Sequence, residues 1–246
     1  MSLVEVNSWD IVKKQYRYKL KSYLGVFSSL IIIQVLAIFF SLNGTGMSGG
    51  SSGTFSYKVN YYSGDLILVF MMLWGFITAI IITTKAYRYD DTSFVTNRLT
   101  SHFSNILFLI SASLFAGLTV FLSSHLFRLI TNIMNVDSIM VNEHTPLQIA
   151  KGIIGAGLYI FLFTSIGYLV GMLIQKNKLF SFFLPIVLVG AMYLDGMNND
   201  VLIFHSISLY FLSETLLSLL IIKIMSVSLL FYGFAIILSA RMEVRA

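Results

Sequence analysis

Six stretches of this chain are so continuously apolar that a lipid bilayer, not water, must solvate them. They cover residues 22–42, 65–84, 104–130, 147–174, 179–195 and 215–240. A crossing helix needs about 20 such residues. Composition agrees: 57% of the 246 residues are hydrophobic and 11% charged, against about 25% charged in a soluble domain. The expected fold is an all-α integral membrane domain over 1–246 with six transmembrane helices. Pro185 falls in the fifth stretch, where it frees a carbonyl and bends the helix. The first 21 residues hold no apolar h-region. No cleavable signal is therefore expected, and the first span serves as the targeting signal.

Lysine and arginine set the orientation. One side collects Lys13, Lys14, Arg17, Lys19 and Lys21, then Lys85, Arg88 and Arg98, then Lys176 and Lys178, then Arg241 and Arg245, twelve of the sixteen basic residues. The other side holds Lys58, Arg128, Lys151 and Lys223 among Asp65, Asp137, Glu143, Asp195, Asp200 and Glu214. The positive-inside rule places both termini in the cytoplasm of a cell-membrane protein. The net charge of +5 sits at the ends of apolar runs, which points to membrane topology and away from nucleic acid.

Residues 201–213 are apolar but too short to cross. Joined to 214–222 they would bury Glu214 and carry Arg241 and Arg245 outside, both unfavourable. The expectation is a half-inserted, re-entrant outer helix over 201–213, followed by the sixth span. Lys223 then lies inside that span, snorkelling outward or pairing with an acidic group. The first outer loop, 43–64, contains a Gly/Ser-rich tract, 48–53, and reads as a flexible linker.

The N-terminal arm, 5–21, is amphipathic. Trp9, Val12, Tyr16, Leu20 and Tyr23 share one helical face, while Asp10, Lys13, Lys14, Arg17 and Lys21 occupy the others. This predicts an interfacial helix anchored by Trp9, with Lys13, Lys14 and Arg17 at anionic lipid headgroups. The plainer alternative is a basic flank that only sets topology. The cytoplasmic loop 85–103 offers N-cap chemistry at Asp90-Asp91-Thr92-Ser93, followed by Phe94, Val95 and Leu99 on a short helical pattern. Those side chains either pack under the bundle or dock a soluble partner. Gly167 and Gly171 form a GxxxG in the fourth span, and Ala112/Ala116 and Ser113/Gly117 are similar pairs in the third. Such pairs serve packing within the chain or dimerisation alike.

Catalytic motifs are absent. The sequence contains no GxxxxGK[ST], HExxH or GxSxG, and no cysteine. The histidines, His102, His125, His144 and His205, fall in four separate segments, which excludes one metal site for all of them. Most spans lack the midplane acidic residue that ion-coupled transport uses. No catalytic residue, metal or cofactor is expected in this chain.

The layout resembles the permease subunit of bacterial ABC-2-type ABC transporters. It shares a basic interfacial helix before six spans, a main cytoplasmic loop between spans two and three, a tight Gln175-Lys176-Asn177-Lys178 turn, and a half-inserted helix between spans five and six. The run from Tyr87 to Leu99 is similar to the second loop of small Gram-positive permeases. The resemblance implies a separate ATPase subunit that binds ATP and Mg, and a second permease subunit, identical or different. Asp91, Phe94, Val95, Arg98 and Leu99 become candidates for coupling to that ATPase. The implied function is export of an amphiphilic or peptide-like substrate. The rivals are a membrane scaffold without a transport path and, further off, an intramembrane enzyme.

Overall fold

The computed structural model describes residues 7–53, 55–92, 97–134, 145–197, 206, 209–211, 213–214 and 216–240. Its helices are α1 (Ser8–Ser22), α2 (Leu24–Ser41), α3 (Asp65–Ile82), α4 (Lys85–Thr92), α5 (Arg98–Ile133), α6 (Pro146–Lys176), α7 (Phe180–Met197) and α8 (Leu217–Ala240). Five of them, α2, α3, α5, α6 and α8, are long and apolar enough to cross a membrane. The architecture is that of a mostly helical, multi-pass membrane protein. The fifth expected stretch forms α7, whose apolar part, Phe180–Asp195, is shorter than those five and has Pro185 inside it. Helix α7 barely touches α6, and its side chains are exposed along most of its length.

One end of the bundle carries α1, α4, Thr83 and Lys176, and is called the basic end here. The other carries the connection from α2 to α3, and is called the hairpin end. At about 1.5 Å per residue, α3 is about 27 Å long, close to the hydrocarbon thickness. Helices α5 and α6, with 36 and 31 residues, overshoot it. Both exceed the expected bounds of 104–130 and 147–174 for local reasons. The start of α6 is set by a capping box: Thr145 Oγ1 accepts from Gln148 N at 3.4 Å, and Thr145 N donates to Gln148 Oε1 at 3.0 Å. Pro146 follows at the first helical position, where its missing amide hydrogen costs nothing. Helix α5 starts early because the polar residues Thr100, His102, Ser104 and Asn105 are buried against neighbouring helices.

Inside a bilayer, helices associate by close backbone approach and polar contacts. The glycines supply that approach. A Cβ on Gly117 would lie 2.7 Å from Gly157 N, where α5 crosses α6. A Cβ on Gly75 of α3 would lie 3.1 Å from Ile160 Cγ2 and Thr164 Cγ2 of α6. Gly167 faces the backbone of Phe76, and Gly171 faces Ile80 and Thr83. Gly167 and Gly171 thus let α6 pack closely on α3 and Thr83 within the chain. Leu30, Ile67, Met71, Phe108, Leu109, Ile160 and Met172 fill the core around these crossings. Polar ties reinforce it: Gln34 Nε2 donates to Thr119 Oγ1 at 2.7 Å, and Trp74 Nε1 to Ser29 Oγ at 3.0 Å.

The 43–64 loop corrects one expectation, a flexible linker, and adds a small hairpin to the helical membrane fold. It forms an antiparallel hairpin of β1 (Gly46–Ser52) and β2 (Phe55–Tyr61), in register from Gly46↔Tyr61 to Ser52↔Phe55. Strand β2, FSYKVNY, has the aromatic and β-branched residues that strands favour. The Gly/Ser-rich β1 has little strand preference of its own and pairs because β2 lies opposite. Gly53 takes φ 56°, as a two-residue hairpin loop requires at its first position.

Most of 201–213 lies outside the described residues. Those described sit low against the hairpin-end portions of α6 and α8. Tyr159 Oη donates to Phe211 O at 2.8 Å, and Lys223 Nζ to Tyr210 O at 3.2 Å. Lys223 also pairs with Glu214 and lies 4.1 Å from the centre of the Tyr210 ring. Tyr210 therefore lies within reach of the Lys223 side chain, whose backbone is about 9 Å along α8 from its start at 1.5 Å per residue. The acidic partner expected for Lys223 is Glu214.

Candidate functional site

The basic end is where local sequence and packing build something more than a bundle. Helix α1 lies against α5, with Val12, Gln15 and Lys19 buried. Trp9 is exposed, as are Lys13, Lys14 and Arg17, so the four expected interfacial anchors all face away from the protein. Val12 and Tyr23 of the expected apolar face are buried, and Tyr16 and Leu20 partly so. The buried stripe is nonetheless rotated from that face, and brings polar side chains to its centre. Lys19 Nζ donates to Ser104 Oγ at 2.8 Å and to Asn105 Oδ1 at 2.5 Å, and Tyr16 Oη meets Ser111 Oγ at 2.6 Å. Both amide atoms of Gln15 are buried without a hydrogen-bond partner among the described residues. Lys19 thus ties α1 to α5 through two hydrogen bonds beside an unsatisfied amide.

From Asn105 the network continues inward. Its Nδ2 donates to Tyr168 Oη at 3.3 Å, and His102 Nδ1 lies 2.7 Å from the same oxygen. The Tyr168 ring packs 5.4 Å from that of Tyr232, whose hydroxyl lies 3.2 Å from Thr164 Oγ1. One polar chain thus runs from α1 through α5 to Tyr168 of α6, and ring packing joins Tyr168 to Tyr232 of α8. Sequence reasoning counted Lys19 as a topology marker and His102 as isolated. The available signal was His102 and Asn105, three apart on one helical face, in register with Gln15 and Lys19 four apart on another.

Helix α4 and the start of α5 form the outer layer of this end. Tyr87 packs edge-on against Tyr23 at the α1–α2 junction, with ring centroids 4.7 Å apart. Arg88 Nη1 donates to Gln175 Oε1 in the last turn of α6 at 2.7 Å. Arg98 Nη1 donates to Ser239 O near the end of α8 at 3.2 Å. The segment is tied to the basic ends of α2, α6 and α8, while Tyr89 and Leu99 are exposed.

The helical pattern here differs from that expected. The helix opens at Lys85 and ends at Thr92, so Asp90 and Asp91 close it where they were expected to cap its start. Leu99 belongs to the first turn of α5, which begins after Asn97 in an extended conformation. Phe94 and Val95 lie outside the described residues. Between those two and Leu99 the backbone at Asn97 is extended.

At the basic end Lys19, His102, Ser104, Asn105 and Tyr168 are engaged with one another, while the Gln15 amide is not. Among the described residues no three His, Cys, Asp or Glu side chains come together to hold a metal. His125 caps back onto Phe121 O at 3.0 Å, and His144 and His205 lie outside the described residues. No protein-family model, curated protein or solved structure matches the chain.

Proposed function

We propose that the chain is the membrane-spanning permease half of an ATP-binding-cassette exporter, driven by a separate ATPase subunit. The observation that carries this reading is the three-point attachment of segment 85–99. Tyr87, Arg88 and Arg98 fasten it to the basic ends of α2, α6 and α8, and Tyr89 and Leu99 stay exposed. A segment so fastened passes a push from a bound partner to several spans at once, which is what coupling to ATP hydrolysis demands.

In this reading α7 is the fifth of six spans and α8 the sixth, 201–213 re-enters the outer leaflet between them, and both termini are cytoplasmic in the cell membrane. The basic end faces the cytoplasm, following the positive-inside rule. ATP and Mg belong to the ATPase, and a second permease subunit, identical or different, completes the pathway. The substrate is amphiphilic or peptide-like. Exposed Trp9, Lys13, Lys14 and Arg17 sit at the lipid interface, where aromatic and basic side chains anchor a helix. The test is affinity purification of the tagged chain from its native membrane. An ATPase recovered in stoichiometric amount supports the reading. Recovery of the chain with structural partners and no ATPase supports the scaffold instead.

A further inference from the structure

At the hairpin end, α3, α5 and α6 part to leave an open cavity of about 380 Å³. Binding pockets for small molecules range over about 300–1,000 Å³. Its lining is graded with depth. The rim holds Tyr62 and Ser63 from the foot of the hairpin, then Asp65, Ser124 and Arg128. Asp65 and Arg128 are both exposed there, and Ser63 Oγ donates to Asp65 Oδ2 at 2.5 Å. Below them the wall turns apolar. Leu68 lies about one turn deeper than Asp65 on α3, and Val120 about two turns deeper than Arg128 on α5. The α5–α6 crossing at Gly117 and Gly157 closes the bottom.

A carboxylate and a guanidinium at the mouth, with a greasy floor at the depth of the hydrocarbon, fit one kind of guest. We propose that this cavity binds a zwitterionic amphiphile. Its anionic group sits at Arg128, its cationic group at Asp65, and its alkyl chain along Leu68 and Val120. A guanidinium suits phosphate or carboxylate by geometry as well as charge. The hairpin runs directly into the rim through Tyr61 and Tyr62, which gives the 43–64 segment a role beside the ligand. The site belongs to this chain alone and does not rest on an ATPase partner.

The test uses the full chain in phosphatidylglycerol nanodiscs, which contain no zwitterionic lipid. Titrations compare hexylphosphocholine with hexyl glucoside, which keeps only the tail, and phosphocholine, which keeps only the head. Saturable binding of hexylphosphocholine, about tenfold tighter than either fragment, is expected. A hydrogen bond to a charged group supports a difference of that order. Arg128→Gln should weaken it about tenfold. Gly152→Leu should abolish it, since Gly152 lines the cavity and a Cβ there meets nothing within 4 Å. Protein purified from its native membrane distinguishes two sources. Release of a zwitterionic phospholipid by hexylphosphocholine supports the site with the bilayer as source, and binding without release supports it with a soluble amphiphile. Equal binding of hexyl glucoside and hexylphosphocholine by the unaltered chain overturns the proposal, as does undiminished binding by both variants.

Discussion

Replacing glycines by alanine along α5 and α6 separates tight crossings from open surface. At Gly117 the new methyl lies 2.7 Å from Gly157 N and 2.8 Å from Ile153 O, where ordinary contact begins at 3.4 Å. The helix backbones must separate by about 0.7 Å (3.4 less 2.7), and backbone atoms have no rotamer through which to yield. At Gly167 the methyl runs into the Phe76 carbonyl. Overpacking of this kind costs about 1–3 kcal/mol per site, against roughly 1 kcal/mol gained per site from the helix preference of alanine. The sites lie far apart, so their effects add. The double variant Gly117→Ala/Gly167→Ala should lose about 2 kcal/mol net. For a chain of this length that lowers the melting midpoint by about 4–8 °C. Gly155→Ala, where a Cβ meets nothing within 4 Å, should hold or raise the midpoint. The assay is thermal challenge of detergent-purified protein, read by size exclusion. A double variant that melts with the parent, or a Gly155→Ala variant that falls as far, refutes the packing argument.

Lys19→Met removes two hydrogen bonds while keeping the side-chain stem. It should cost about 1–3 kcal/mol and speed trypsin cleavage at Lys13 and Arg17. Unchanged cleavage would mean that α1 is held by other contacts. Glu214→Ala and Lys223→Ala should each destabilise by about 1–2 kcal/mol through the partner left behind, and the double variant should recover part of the loss. Simple additivity would show that the pair contributes nothing. Single cysteines placed at Ser51, Asn97 and Asn177 report topology in a chain without native cysteine. An impermeant thiol reagent applied to intact cells should label the Ser51 variant alone, and labelling at Asn97 would invert the orientation.

What the sequence made legible follows the strength of the physical signal. Bilayer thickness imposes long apolar runs, so α2, α3, α5, α6 and α8 stood out from hydropathy. Their ends did not, because ends depend on caps and buried polar contacts. Thr145-Pro146 with Gln148 was a readable cap that hydropathy ignores. The early start of α5 was unreadable, since Thr100–Asn105 is polar and becomes helix interior only when α1 and α6 cover it. The β-hairpin was hidden because β1 has no strand preference apart from β2. Lys19 was misplaced for a related reason: charge patterning puts lysine outside, and companions such as Ser104 and Asn105, eighty-five residues away and more, make its burial tolerable. The GxxxG in α6 announced close packing but not its partner, which the course of α3 decides.

The account depends most on segment 85–99 receiving an ATPase. A photo-crosslinking amino acid at Tyr89 or Leu99 places a reactive group on the exposed side of that segment, and one at Met47 places it on the hairpin as a control. Irradiation of native membranes, followed by identification of the adducts, reads contact directly. Adducts with an ATPase subunit from Tyr89 and Leu99, and none from Met47, are predicted. An absence of ATPase adducts from both Tyr89 and Leu99, in chains present at normal abundance, would contradict the account.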